Sequence, residues 1–239
     1  MLRFSAVPLA TILLGASALA HAQTELVFGT THDANSASFH YARDYLRQLC
    51  AENKLHCVLR SYPGRRSEAL LAIGKLDGEI GRVKGYGMKH PDYVRVEEPF
   101  NVVQTRIFTR TRFSISSWQS LTYFARTVSY KRGIFLYQQR LEALLPALQL
   151  HDVQSEDACL QVVLARRSEA CVFDVGGLTG DAHQLLEQGY TSDSIEDLPL
   201  YLYLHGKHAA LAQPLLETAR RMQARGIPAQ LRRTYYDLR

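Results

Sequence analysis

Charged and hydroxyl residues stand at the far ends of several short β-like runs. Thr31, His32 and Asp33 follow ELVFGT, and Arg65 and Arg66 follow LHCVLRSYPG. Glu79 and Arg82 lie in EIGRV, Lys131 and Arg132 follow TVSY, and Asp174 ends ACVFD. In open parallel sheets ligands sit beyond the carboxyl ends of the strands. The candidate binding residues are therefore Thr31, Asp33, Arg65, Glu79, Arg82, Arg132 and Asp174. Arg65 comes just after Pro63-Gly64, at an expected helix start, where backbone N–H groups and a guanidinium both favour an anion. Arg82 ends a central strand and either faces a cleft or pairs with Glu79 or Asp77. In the cleft reading, Arg82→Ala weakens binding with little loss of fold. Asp174 either receives an amino or hydroxyl group or pairs with a nearby arginine. This is the chemistry of holding a small polar solute, not of breaking one. Ser114, Ser116 and Ser117 lack a GxSxG setting, and HExxH, P-loop and GxGxxG patterns are absent from the sequence. His205 and His208 read as a cap and a surface residue rather than as a metal pair. No metal and no cofactor is expected.

The elements that must position these residues alternate. Glu25–Thr30 reads as a strand. A helix to about Ala51 follows, with Phe39, Ala42, Tyr45, Leu46 and Leu49 at helical spacing and Asn35, Ser36 or Ser38 as its cap. Leu55–Tyr62 is a strand, and a helix from near Arg65 carries Ala69, Leu70, Leu71 and Ile73 as its apolar face, stopped by Gly74. Glu79–Val83 is the third strand. This β-α-β-α-β order signals a parallel α/β sheet. Asn101–Thr109 is a long β-like run, with a crossover placed near Thr109–Phe113. The alternation then repeats. Strands are expected at Thr127–Tyr130, Leu148–Val153 and Ala170–Asp174, with helices at Phe135–Leu145 and from Ser155 to Ala165. A further helix is expected near Asp181–Glu187. Leu198–Leu204 is β-rich, and helices at Ala209–Arg225 and Pro228–Leu238 close the chain.

Residues 1–22 read as a cleaved secretory leader: a short basic start, an uncharged run from Phe4 to Ala20, and small-x-small sites ending at Ala22. That places the protein in the periplasm. The whole chain carries a formal charge of +5, and removing Arg3 with the leader leaves +4. The positive charge is dispersed, which argues against a nucleic-acid surface. Four cysteines form two locally spaced pairs, Cys50 with Cys57 and Cys159 with Cys171. Four cysteines allow three pairings; local disulfides are the expectation, suited to an oxidising compartment. Zinc is disfavoured because neither spacing is CxxC.

The order of several steps resembles the type 2 periplasmic solute-binding proteins, family 3, in a divergent form of the amino-acid-binding branch. Leu71-Ala72-Ile73-Gly74-Lys75-Leu76-Asp77-Gly78 is similar to that family's helix-Gly-Lys-x-Asp-Gly/Ala step. Glu98-Pro99-Phe100 is similar to its acid-Pro-aromatic step, and Tyr130-Lys131-Arg132-Gly133 to the turn opening its second lobe. Val172-Phe173-Asp174 is similar to its strand-then-Asp, and Tyr201–His205 and Met222–Gly226 to its closing strand and last helix. The resemblance covers essentially the whole chain after the leader. It implies an α/β fold of two lobes, each a mainly parallel sheet flanked by helices, with a cleft between. Lobe one would hold 23–110 plus 200–239, and lobe two 111–199. Two steps depart from the pattern. The Thr-x-x-Arg segment that holds a carboxylate is replaced by Val83-Lys84-Gly85-Tyr86-Gly87-Met88-Lys89-His90, and the Gly-Ser/Thr-Thr step by Gly133-Ile134-Phe135.

The resulting expectation is a non-catalytic, monomeric solute-binding protein. It holds an anionic or zwitterionic, amino-acid-like ligand between its lobes and presents it to an ABC permease or a sensor. Arg65 and Arg82 would hold the acidic group, and Asp174 the amino group. Two alternatives stand beside it. One is a binding-protein fold that has lost its ligand and works through protein contacts. The other is an enzyme resembling periplasmic cyclohexadienyl dehydratase, with Glu79 as an acid of raised pKa.

Overall fold

The computed structural model describes residues 25–236. The expected leader lies outside the described residues. Strand β1 (Glu25–Thr30) is followed by α1 (Ala37–Glu52), β2 (His56–Ser61), α2 (Gly64–Ala72) and β3 (Gly78–Val83). The long β4 (Tyr93–Thr109) leads to β5 (Thr127–Lys131), α3 (Phe135–Glu142), β6 (Gln149–Val153), α4 (Glu156–Leu164) and β7 (Ala170–Asp174). The chain closes with β8 (Tyr190–Thr191), β9 (Glu196–His205), α5 (Ala212–Ala224) and α6 (Ile227–Tyr235).

The strands form one continuous sheet in the order β2-β1-β3-β9-β4-β7-β5-β6, with β8 paired to β4. One half, β2-β1-β3, is parallel, and so is the other, β7-β5-β6. The long antiparallel pair β4 and β9 joins them. The chain passes between the halves within β4 and returns within β9. β4 pairs beside β9 from Tyr93, and its end at Thr105–Thr109 lies on β7. Register slips between Val96 and Asn101, around Pro99, which has no N–H to give the ladder.

Local chemistry explains the elements. The Ser36 side chain accepts from the Phe39 N–H and starts α1, whose Phe39, Ala42, Tyr45, Leu46 and Leu49 are all buried. Ser155 caps α4 in the same way through the Ala158 N–H. In α2 the buried face is Gly64, Ser67 and Leu71, not the expected run to Ile73. That helix ends at Ala72, so Ile73 points outward and is 67% exposed. Gly74 takes the left-handed cap. The segment Gly180–Gln188 winds as a 3-10 helix rather than an α-helix.

Asp77 of the Gly-Lys-x-Asp-Gly step is a structural tie. Its carboxylate accepts from the Val27 N–H, Lys207 and His208. His205 accepts from the Lys207 N–H, so both histidines serve this junction. The disulfides Cys50–Cys57 and Cys159–Cys171 are both formed. The first ties the end of α1 to β2. The second ties α4 to β7 inside the smaller apolar cluster with Phe108, Leu160 and Phe173. Each contributes about 2–3 kcal/mol in the loop-entropy picture. The larger core runs under both halves. Among the described residues no helix is long and apolar enough to cross a membrane, and no three His, Cys, Asp or Glu side chains gather as a metal site.

Candidate functional site

The carboxyl ends of β1, β2, β3, β5, β6 and β7 converge on a cleft between the two halves. It has two compartments. The inner one is a cavity of about 60 Å³ bordered by Thr31, His32, Arg82, Tyr86, Lys131, Tyr137, Glu156 and Asp174. The outer one, about 710 Å³, is bordered by Thr31, Asp33, Tyr62, Arg65, Arg66, Lys131, Arg132 and Gln154.

The inner compartment is built from matched charges. Arg82 is 5% exposed and Glu79 fully buried. Arg82 Nε and Nη2 donate to the two Glu79 oxygens at 2.8 Å each, and Tyr86 Oη donates to Glu79 Oε2 at 2.8 Å. Three residues apart on a regular strand, the two side chains would face opposite sides. A bulge between Ile80 and Arg82 brings them together, and Gly81 sits there at φ +97°. A Cβ at Gly81 would come within 3.0 Å of His32 Nε2, so the glycine also makes room for that ring. Burial pushes the Glu79 carboxyl up, but Arg82 foremost, with Tyr86 adding a smaller share, outweighs it and holds its pKa below the usual range.

From the facing half, Lys131 Nζ lies 2.7 Å from Glu156 Oε2. Burial raises the Glu156 pKa against the pull of Lys131. Asp174 accepts from the Gly176 N–H at 3.2 Å and from Ser38 Oγ at 3.3 Å. Ser38 in turn meets Tyr236 Oη, which receives an N–H from Asn101. The Asp174 carboxyl is thus tied across the cleft to the start of α1 and the end of α6. Burial, and next the Glu156 charge, push its pKa up to about 7. The His32 imidazole is pushed down to about 3 by its burial and by the positive charges of Lys131 and Arg82. It is therefore neutral throughout the physiological range.

The outer compartment differs. Arg132 forms two bonds to Asp152, but Arg65 and Arg66 have no acidic partner within ion-pair distance among the described residues. Arg66 lies over the Tyr62 ring at 5.7 Å. Asp33 Oδ1 accepts from the Asn35 N–H and shapes the turn after β1.

The expected site residues therefore fall into two groups. Glu79, Arg82 and Asp174 are together in or beside the inner pocket. Asp33, Arg65 and Arg132 border the outer chamber, and Thr31 borders both. Arg82 takes the pairing alternative with Glu79. The expectation that Arg82→Ala spares the fold is corrected accordingly, because the change would strand a buried carboxylate. Sequence reasoning missed Glu156 and Tyr86. Glu156 follows the Ser155 cap and reads as a helix-start acid. Tyr86 lies in a short 3-10 turn that carries no apolar periodicity.

No family model matches the chain. An uncharacterized protein of Shewanella oneidensis is 32% identical over 174 residues, 69% of this chain and 64% of that protein. The chain thus spans a little under two thirds of that relative's length. Several solved structures are similar in fold. An ancestral amino acid-binding protein, a precursor of cyclohexadienyl dehydratase, has a TM-score of 0.72 at 17% identity, over 89% of this chain and 95% of that one. A putative binding component of an ABC transporter from Wolinella succinogenes, complexed with lysine, has a TM-score of 0.71 at 16% identity, with the same coverages of 89% and 95%. A histidine kinase sensor domain with similarity to periplasmic binding proteins has a TM-score of 0.68 at 13% identity, over 89% and 96%. The convergent strand ends, the paired long strands β4 and β9 and these likenesses together give the chain the two-lobed fold of the type 2 periplasmic solute-binding proteins, in a divergent form.

Proposed function

We propose that the protein is a periplasmic solute-binding protein that captures a small polar ligand, anionic or zwitterionic, between its lobes. The observation that carries this reading is the outer chamber. It is large enough for a small solute, has walls from both lobes, and holds two guanidinium groups without acidic partners. A ligand that touches both lobes only when they are together shifts the population toward the closed form. A membrane partner, an ABC permease or a sensor, would read that form. The fold neighbours include a transporter component and a sensor domain, which supports either partner.

The dehydratase alternative required Glu79 to be an acid with a raised pKa. Its pKa is held down instead, by Arg82 and Tyr86. The binding reading is therefore the better supported of the two.

Thermal unfolding of residues 23–239 against amino acids, small carboxylates and phosphates tests the proposal. A ligand at a hundred times its dissociation constant adds about 2.7 kcal/mol and visibly raises the melting temperature. A cooperative melt that no compound moves would sink solute capture and favour action through protein contacts.

A further inference from the structure

The two compartments of the cleft differ in size and in free charge, and the difference identifies both the seat and the class of the ligand. A water needs roughly 10–15 Å³ of such space. The inner cavity, at about 60 Å³, accommodates only a few waters. Its cations are also engaged: Arg82 by Glu79 and Lys131 by Glu156. We propose that the ligand sits instead in the outer chamber and is a small dianion, held by Arg65 and Arg66 of one lobe and faced by Arg132 of the other. This rests on the solute-capture reading above.

Four observations carry it. The chamber wall has four cationic side chains, Arg65, Arg66, Lys131 and Arg132, against one carboxylate, Asp33. Among these cations Lys131 and Arg132 form ion pairs with Glu156 and Asp152; Arg65 and Arg66 form none, and Arg65 acts on Asp152 only as a more distant charge. Two guanidiniums outside any ion pair, each a planar fork of donors, can each answer one negative charge. The first turn of α2 points the same way. Its cap is Pro63, whose side chain accepts nothing, so the leading N–H groups have no side-chain partner beside the same two arginines. Finally, the chamber walls come from both lobes, with the unmatched charge on one of them. The lobes approach closely at Gly64 and Gly133, where a Cβ on Gly64 would lie 2.6 Å from the Gly133 carbonyl oxygen. An anion seated on Arg65 and Arg66 is enclosed by the facing wall only when the lobes meet, which gives the ligand its preference for the closed form. A ligand with a cationic side chain would meet the opposite field.

Titration calorimetry on residues 23–239 tests this, with succinate and inorganic phosphate as dianion probes and lysine, arginine and glutamine as the contrast. Succinate or phosphate should bind, with affinity falling as salt is raised. The double variant Arg65→Ala, Arg66→Ala should lose at least about tenfold in affinity, the loss of one charge-assisted hydrogen bond. Both arginines are exposed, so the variant's unliganded melt should match the parent and separate a binding defect from misfolding. Binding of lysine, arginine or glutamine without binding of either dianion would overturn the inference and leave solute capture standing. So would a dianion affinity unchanged in the double variant. If no probe of either kind binds, capture itself fails, and the inference with it.

Discussion

The inner pocket and the outer chamber share one cleft and several of the same strand ends, yet treat charge in opposite ways. Inside, Arg82 is held by Glu79, which also accepts from Tyr86, Lys131 is held by Glu156, and His32 stays uncharged. Outside, Arg65 and Arg66 lie on the first turn of a helix and make no ion pair among the described residues. A charged residue at the end of a strand is therefore not the same as a charge available to a ligand. Desolvation explains the contrast. A guanidinium at 5% exposure must be matched by the protein itself, because leaving it bare in a low-dielectric interior costs several kcal/mol. An exposed one is solvated and can wait for a partner.

Removing one arginine from each compartment tests this contrast most severely. Arg82→Ala strands Glu79 and should lower stability by about 3–5 kcal/mol. Arg65→Ala should change it by less than about 0.5 kcal/mol. Chemical denaturation of the two variants measures both. The double variant Glu79→Gln, Arg82→Met removes the ion pair as a unit and should recover most of the Arg82→Ala loss. Equal losses for Arg65→Ala and Arg82→Ala would end the distinction between the compartments.

Much of the frame was legible from the residues. Strands β1 and β7 occur at the expected bounds, since each is a short apolar run closed by polar residues. The α1 stripe is buried throughout, because five apolar residues at helical spacing leave one solution. The site was legible as a set of strand ends, and of its partners only Glu79 was named, as one option for Arg82. The Glu79–Arg82 pair depends on a bulge that periodicity alone does not reveal. The Lys131–Glu156 pair joins β5 to α4, 25 positions apart in the chain. The state of His32 depends on charges supplied by β3 and β5. Such pairings are set by tertiary approach, which one-dimensional spacing does not encode.

The inner pocket also sets a proton balance that the outer chamber lacks. Asp174 has its pKa raised from 3.8 to about 7, so its contribution to stability is full in acid and is lost as pH rises through 7. His32 has its pKa lowered from 6.5 to about 3, so its contribution is full above 6.5 and is lost as pH falls toward 3. Between about pH 4 and 6.5 the native pair holds one proton, on Asp174. The unfolded pair also holds one, on the histidine. The two slopes cancel, each being about 1.4 kcal/mol per pH unit. Asp174→Asn should uncover the histidine, with stability rising relative to the parent as pH rises across that window. His32→Asn should uncover the aspartate, with stability falling over the same range. Denaturant midpoints taken at several pH values give both slopes. Parallel curves for the parent and both variants would show that the two groups do not titrate as a buried pair.

The smallest effect on stability comes from Gly64, and it separates folding from closure. Gly64 opens α2 and is buried against Gly133 of the facing lobe. Its φ lies outside the left-handed region, so alanine suits its own backbone, and removing a flexible glycine should stabilise the helix by at most about 0.5–1 kcal/mol. Across the cleft the same methyl would sit 2.6 Å from the Gly133 oxygen and 2.8 Å from its Cα, both backbone atoms that cannot swing aside. Gly133 is a poorer probe, because at φ +84° any side chain there is strained on its own account. With the lobes free to part when no ligand holds them, Gly64→Ala should leave the unliganded melt unchanged or slightly raised while weakening ligand affinity; a lowered unliganded melt would mean that the contact persists without ligand. Small-angle scattering should find the liganded variant more extended than the liganded parent. The outer chamber borders this contact, so a site that needs closure must feel the methyl. Full affinity and full compaction in Gly64→Ala would mean that ligand binding does not require the two lobes to meet at Gly64 and Gly133.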